Sequence, residues 1–253
     1  MRDMRLPDVD LAAEWRPATG VRLVTLAPEL PGALEVVRLL RSQGVTVSAG
    51  HSLATFAEAQ AGFRAGITLG THLFNAMPPL NHRSPGLVGA LLASPEVGVG
   101  LIADGLHVHP ALVALAWKAK APGALLLVTD AMAALGEPPG SYQLGDKRVL
   151  VDGDSARLPD GTLAGSLLAM EAALRNLVAY SGCSLLEAVR CATATPAKAA
   201  GLAEVGQLRP GAAADLVLLT GAGEVAATLV GGRLVYSTLE PQRFAALLQS
   251  GKG

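Results

Sequence analysis

Cysteine is scarce. The chain has two, Cys183 and Cys191, in a stretch that reads as helical, and this count excludes a disulfide framework. They read as reduced core or surface thiols with no functional assignment. An excess of one sign of charge is missing as well. Twenty basic residues stand against 21 acidic ones, the formal charge is -1 at pH 7, and no basic block occurs, which excludes nucleic acid as the main partner. No apolar run approaches the ~18 residues of a membrane span. The opening segment, MRDMRLPDVD, mixes charges of both signs and lacks the apolar stretch of a secretory signal, so a soluble, cytoplasmic protein with no membrane partner is expected. Aromatics make up only 4%, whereas 51% of residues are apolar and glycine and proline number 29 and 16. That balance suits a globular chain of buried parallel strands and not a disordered one.

At 253 residues the chain is long enough for one large α/β domain, or for a domain with a smaller appendage. Its most informative stretch is Thr68 to Pro79, TLGTHLFNAMPP, where a short apolar run ends at His72 and a turn follows. The same plan recurs. Val45 to Gly50 ends at His51, Val97 to Ala103 runs into Asp104-Gly105-Leu106-His107, and Leu125 to Thr129 ends at Asp130. Apolar runs too short for helices, alternating with helical patterns, predict parallel strands joined by crossovers, whose C-terminal ends share one mouth. Three histidines and an aspartate at such ends would converge on one site.

In chain order, residues 1–20 read as an irregular segment with a short helix around 9–15, and residues 21–203 as the strand–helix domain. Strands are expected over 21–27, 45–50, 67–71, 97–103 and 124–129. Helices are expected over 31–43, stopped by Gly44, over 56–65 with Phe56, Ala59 and Phe63 inward, over 86–93, and from Pro110 onward. Thr55 with Glu58 and Ser184 with Glu187 fit capping boxes, and Thr195-Pro196 starts a further helix. Paired prolines, glycines and short alternations near 136–162 predict inserted β-hairpins. Residues 161–166 are expected to open a helix that runs to about 180. After Gly206, three short strands form a β unit over 204–253.

Two neutral imidazoles at neighbouring strand ends, His51 and His72, suit zinc or ferrous iron, although a histidine at such a place is often a hydrogen-bonded core residue. Asp130 follows a wholly apolar run, where an ionised carboxylate is costly unless paired or beside a cation. It reads either as a general base or as the N-cap of the next segment. His107 would hydrogen-bond a substrate carbonyl or cap the helix opened by Pro110, while His109 and His82 read as ordinary loop residues. Arg83 offers forked donors to a phosphate or carboxylate, or is a solvated surface cation. Leu163-Ala164-Gly165 has small side chains where backbone approaches a ligand closely, or simply opens a helix.

At these residues the chain resembles the N-acetylglucosamine-6-phosphate deacetylases, a branch of the amidohydrolase superfamily. The segments that carry the resemblance are Thr25 to Glu29, Ser48 to Ser52, Thr71 to Pro78, Ala103 to Val108, Val128 to Ala131 and Gly161 to Ser166, in this order. The resemblance implies an incomplete TIM-like (β/α) barrel of about five of the usual eight strands, with a C-terminal remnant of a small β-sandwich. It implies a divalent metal held by His51 and His72, Asp130 as the acid/base, and substrate contacts from Asp104, Gly105, Leu106 and His107. Asn75, Ala76 and Arg83 would hold the sugar phosphate, and Leu163, Ala164 and Gly165 would lie along the N-acetyl end. The implied partners are a small phosphosugar and a second copy of the chain in a homodimer. The implied activity is hydrolysis of the N-acetyl group of N-acetylglucosamine 6-phosphate. The alternatives are a catalytically inactive sugar-phosphate-binding module and an amidohydrolase acting on a cyclic amide or an N-acyl amino acid. The family's Leu-Glu-Gly-Pro motif, whose glutamate is a metal ligand, does not occur here, and Glu29 belongs to a different matched segment.

Overall fold

Strand and helix alternate from residue 23 to residue 127, each helix returning the chain to the same side of the next parallel strand. The computed structural model describes residues 5–120, 123–202, 204–240 and 242. Strands β1 (Leu23–Leu26), β2 (Thr46–Ala49), β3 (Leu69–Gly70), β4 (Gly98–Leu101) and β5 (Leu125–Leu127) form one parallel sheet in sequence order. Between them run α2 (Ala33–Ser42), α3 (Phe56–Ala65), α4 (Gly86–Ala93) and α5 (Pro110–Lys120), with a short α1 (Val9–Ala12) packed on α2. Helices α6 (Met170–Ser181), α7 (Leu185–Ala192) and α8 (Ala194–Ala199) pack against β5. This is the expected incomplete (β/α) barrel. Among the described residues β1 pairs with β2 alone, and Leu23 on it is exposed. No helix among them is long and apolar enough to cross a membrane.

Local chemistry accounts for most of these boundaries. Gly44 takes a left-handed φ of 79° beyond the end of α2, a conformation that costs glycine nothing. The Thr55 hydroxyl accepts from Glu58 N and the Glu58 carboxylate accepts from Thr55 N, so two donors left free by the first turn of α3 are satisfied. Ser184 and Glu187 do the same for α7. α4 is buried on nearly all sides and closes down on β3 because position 70 has no side chain: a Cβ there would stand 2.6 Å from Leu91 Cδ1. The core joins both faces of the sheet, with Val37, Leu40, Val47, Leu87, Leu91, Leu101 and Leu125 fully enclosed.

Several expectations need correction. The strands are each two or three residues shorter than predicted, since the turns that carry the polar residues begin inside the apolar runs. The helix near 9–15 is one turn long, and the expected N-terminal segment includes residues 1–4, outside the described residues. Phe56 is 37% exposed and not inward, while Ala59 and Gly62 form the buried stripe of α3. Residues 161–166 do not open a helix, which begins only at Met170. They form an irregular segment with isolated bridges, Ala131 to Ser166 and Arg157 to Leu163. Between β5 and this segment lies an antiparallel sheet of β6 (Gly140–Leu144), β7 (Lys147–Asp152) and β8 (Ser155–Arg157). A second antiparallel sheet, ordered β11 (Arg233–Ser237), β10 (Val225–Val230), β9 (Leu216–Leu219), follows α8. The end of the expected β unit, residues 243–253, lies outside the described residues.

Lys120 ends α5 and is 2% exposed, with Nζ donating to Val97 O at 2.8 Å and to Ser94 O, the C-cap carbonyl of α4. Burial pushes its pKa from 10.5 down to about 8, against a weaker pull upward from Glu96. Lys120→Met is expected to destabilise the protein by about 1–3 kcal/mol, the cost of leaving a buried carbonyl unpaired. The sign of the pH effect follows from the depressed folded-state pKa. Between about 8 and 10.5 the unfolded chain holds a proton that the folded one lacks. Stability of the unaltered protein therefore rises with pH across that window relative to Lys120→Met, and the difference is flat below it. Urea unfolding at pH 7, 8.5 and 10 reads both effects.

Candidate active site

The C-terminal ends of β2, β3, β4 and β5 lie side by side, with Ala49 opposite Gly70, Gly70 opposite Val99 and Leu101 opposite Leu127. Each strand is followed within three residues by a predicted site residue. The register therefore brings His51, His72, Asp104 and Asp130 to one mouth. Among the described residues, five other than glycine have positive φ, and all belong to this mouth: His51 (50°), His72 (29°), Phe74 (77°), Ala76 (49°) and Asp130 (50°). Such conformations cost on the order of 1–3 kcal/mol each and persist where the surroundings impose them.

The two imidazoles meet. His72 Nε2 lies 2.9 Å from His51 Nε2, with the rings edge-to-face and their centroids 4.7 Å apart. His72 is buried and His51 exposed, and His72 Nδ1 is enclosed without a hydrogen-bond partner. Burial first, and then the neighbouring His51, hold the His72 pKa below its ordinary value, with Asp130 pulling weakly the other way. The neutral ring this favours is the form that binds a metal. If neither Nε2 carries a proton, two lone pairs face each other, an arrangement that a shared cation relieves. Nitrogen ligands about 2.0–2.1 Å from a zinc ion stand roughly 3 Å apart, so the pair fits as two donors to a divalent cation. Among the described residues, no group of three His, Cys, Asp or Glu is placed to hold an ion.

Beneath the pair lies a run of hydroxyls. Thr71 Oγ1 is 2.6 Å from Ser48 Oγ and 3.0 Å from Thr25 Oγ1, linking β1, β2 and the residue before His72. Gly50 allows this approach, since a Cβ there would come within 2.7 Å of Thr71 Cβ.

Asp130 is exposed, which removes the desolvation cost inferred from its apolar run, and it caps no helix among those described. Its main chain is held: Asp130 O accepts from Ser166 N at 2.7 Å, Ser166 O accepts from Met132 N at 3.0 Å, and Ser166 Oγ donates to Thr129 O. Gly165, at φ 70°, is required by this contact, because a Cβ there would stand 3.2 Å from Asp130 O. The close approach expected at Leu163, Ala164 and Gly165 is thus made to the Asp130 backbone, with Ala164 buried and Leu163 half-buried beside it.

Asp104 organises its own loop. Its carboxylate accepts from Leu106 N and His107 N, both at 2.8 Å, and pairs with His107 Nδ1 at 2.5 Å. Burial works to raise its pKa, but these hydrogen bonds, led by that of the His107 ring, outweigh it and hold the carboxyl below the usual range. The ring is thereby oriented through Nδ1, leaving Nε2 as its free nitrogen. Leu106 is exposed, and Gly105 at φ 78° packs close to Tyr180 of α6. The helix opened by Pro110 is capped not by His107 but by His109, whose Nδ1 accepts from Ala111 N at 3.2 Å. Asn176 of α6 donates to Ala103 O at 2.8 Å. Neither Asn176 nor Ser166 was visible as a site residue in the sequence, since each acts through a contact with a distant segment.

The Asn75 amide donates to His72 O and Leu73 O, both at 3.3 Å, and so closes the turn after His72. Ala76 is exposed at its positive φ, and Arg83 is exposed beyond the Asn81 side chain, which caps Arg83 N and Ser84 N. The Arg83 guanidinium forms no ion pair among the described residues.

The model of the amidohydrolase family matches residues 8–235. The chain is 43% identical over 234 residues to an N-acetylglucosamine-6-phosphate deacetylase of Homo sapiens, covering 90% of this chain and 57% of that protein. It is 42% identical over 215 residues to an N-acetylgalactosamine-6-phosphate deacetylase of Escherichia coli O157:H7, covering 85% of this chain and 57% of that one. Among solved structures, it superposes with a TM-score of 0.87 and 41% identity on a mutant N-acetyl-D-glucosamine-6-phosphate deacetylase of Mycobacterium smegmatis, in complex with N-acetyl-D-glucosamine-6-phosphate. That match covers 92% of this chain and 63% of the other. The chain thus spans under two thirds of the length of these relatives. Amidohydrolases are in general dependent on a divalent metal.

Proposed function

The chain belongs to the amidohydrolase family, and on that premise we propose that it hydrolyses the N-acetyl group of N-acetylglucosamine 6-phosphate to glucosamine 6-phosphate and acetate. The observation that carries the reading is the convergence of His51 and His72 through their Nε2 atoms at 2.9 Å, at the mouth where Asp130 follows β5. In this reading the barrel segment 21–203 carries the chemistry.

His51 and His72 would hold a divalent cation, zinc or ferrous iron, which when bound supplies Lewis acidity for an amide carbonyl and for water. Asp130, exposed and free of a competing partner, takes a proton from the attacking water at a carboxylate oxygen. It then delivers that proton to the amine nitrogen as the C–N bond breaks and acetate leaves. His107, held through Nδ1 by Asp104, would donate from a protonated Nε2 to the acetyl oxygen as charge develops there. Leu163, Ala164 and Gly165 flank the acetyl group beside Asp130, and the turn Asn75-Ala76 with Arg83 receives the phosphate. A phosphorylated sugar is retained inside cells by its charge, which agrees with a cytoplasmic protein.

The test is acetate release by the purified, folded chain supplied with Zn²⁺ or Fe²⁺. Release from N-acetylglucosamine 6-phosphate supports the proposal, and no release under either metal overturns it. The similarity to the galactosamine enzyme supports a second reading, the C4 epimer as substrate, and a higher kcat/KM for N-acetylgalactosamine 6-phosphate would select it. Arg83→Ala is expected to raise KM for the phosphosugar about 10- to 100-fold, the range of a lost charge-assisted hydrogen bond. Turnover of unphosphorylated N-acetylglucosamine should stay unchanged. Equal losses on both sugars would take the phosphate away from Arg83.

A further inference from the structure

Among the described residues, Glu29 is a carboxylate at the mouth that the chemistry above does not use. It stands in the turn after β1, and both its oxygens are engaged by the next loop. Oε2 accepts from Ser52 Oγ at 2.7 Å and Oε1 accepts from Leu53 N at 2.6 Å. Ser52 follows His51 directly and is fully buried. Its hydroxyl also accepts from Ala54 N at 3.1 Å, and its amide donates to Ala76 O at 3.2 Å. One serine thus ties together the loops after β1, β2 and β3. The residues at its two ends, His51 and Ala76, are held at φ 50° and 49°, where side chains are unfavourable.

We propose that Glu29 and Ser52 are positioning residues, a clamp that sets the approach of His51 to His72; this rests on reading the histidines as the metal pair. Glu29 reaches the cation only through the loop it holds, since its two oxygens are already committed to that loop. A buried hydroxyl that both donates to a carboxylate and accepts from a backbone amide is the kind of support that orients ligands from behind.

The experiment titrates Zn²⁺ into the metal-free full chain by calorimetry and records the imidazole ¹⁵N spectrum of the same samples before metal is added. Glu29→Ala and Ser52→Ala are each expected to weaken Zn²⁺ binding about 10- to 100-fold. Both should shift the His51 and His72 Nε2 resonances in the metal-free state and speed amide exchange at Leu53. Glu29→Gln, which keeps one acceptor, should recover part of the affinity. Glu35→Ala, at an exposed neighbouring glutamate outside the clamp, should change none of these readings. Lower thermal stability with unmoved ring resonances and unmoved affinity would reduce the pair to a structural contact and overturn the proposal. Loss of Zn²⁺ in Glu29→Ala with none in Ser52→Ala would make Glu29 a ligand and overturn it too. If the unaltered chain binds no Zn²⁺ but the metal-free resonances move as expected, the metal reading fails and the clamp stands. Should an alanine variant not fold, Glu29→Gln decides: ring resonances identical to the unaltered chain would overturn the clamp.

Discussion

Asp130→Asn is expected to lower the proposed acetate release from N-acetylglucosamine 6-phosphate by about 10²- to 10⁴-fold, the range contributed by a positioned general acid–base group. The substitution is unusually clean at this position. The Asp130 main chain is fixed by Ser166 and not by its own carboxylate, which is exposed and carries no hydrogen bond among the described residues. Asparagine has the same shape and tolerates the left-handed conformation that Asp130 adopts at φ 50°. The fold and the melting temperature should therefore be unaffected, and KM nearly so, because in the proposed role the carboxylate moves a proton and does not grip the sugar. A steady-state series over pH, with a thermal melt of each protein, reads the result. A kcat within threefold of the unaltered chain would place the base on another residue.

His72→Ala is expected to remove bound metal and to lower turnover by about three orders of magnitude, since a Lewis acid at a carbonyl is worth several kcal/mol and each 1.4 kcal/mol is tenfold. His72 is buried, so this change also empties part of the site and will cost some stability. His51→Ala separates the two effects. Its ring is exposed, so deleting it should abolish metal binding while leaving urea unfolding close to that of the unaltered chain. Metal content by mass spectrometry, set beside acetate release, gives the comparison. Full metal occupancy in both variants would remove the histidine pair from the ligand set.

The convergence of His51, His72 and Asp130 was legible because each follows an apolar run short enough to be a strand. Parallel strands joined by helices must end on one side. The capping boxes at Thr55 and Ser184 and the stop at Gly44 were equally plain, because each acts between residues no more than three apart or through a single left-handed glycine. Residues 161–166 were misread for the opposite reason. Small residues ahead of a helical pattern look like its first turn, yet here they pair with Ala131, far back in the chain. Phe56 was placed inward by its spacing, and the packing of α3 through Ala59 and Gly62 turned it out.

The sequence alone determined the alternation of strand and helix and the chemical identity of each strand end, because backbone conformation and capping are settled within one or two turns of chain. Only the tertiary structure decided that His51 and His72 meet through Nε2, that Ser166 holds Asp130, that Asn176 reaches 73 residues back to Ala103, and that Glu29 grips the loop after His51. Those contacts join segments far apart in the chain, and their geometry follows from how α6 and the successive βα turns pack around the sheet. No local pattern of residues carries that information.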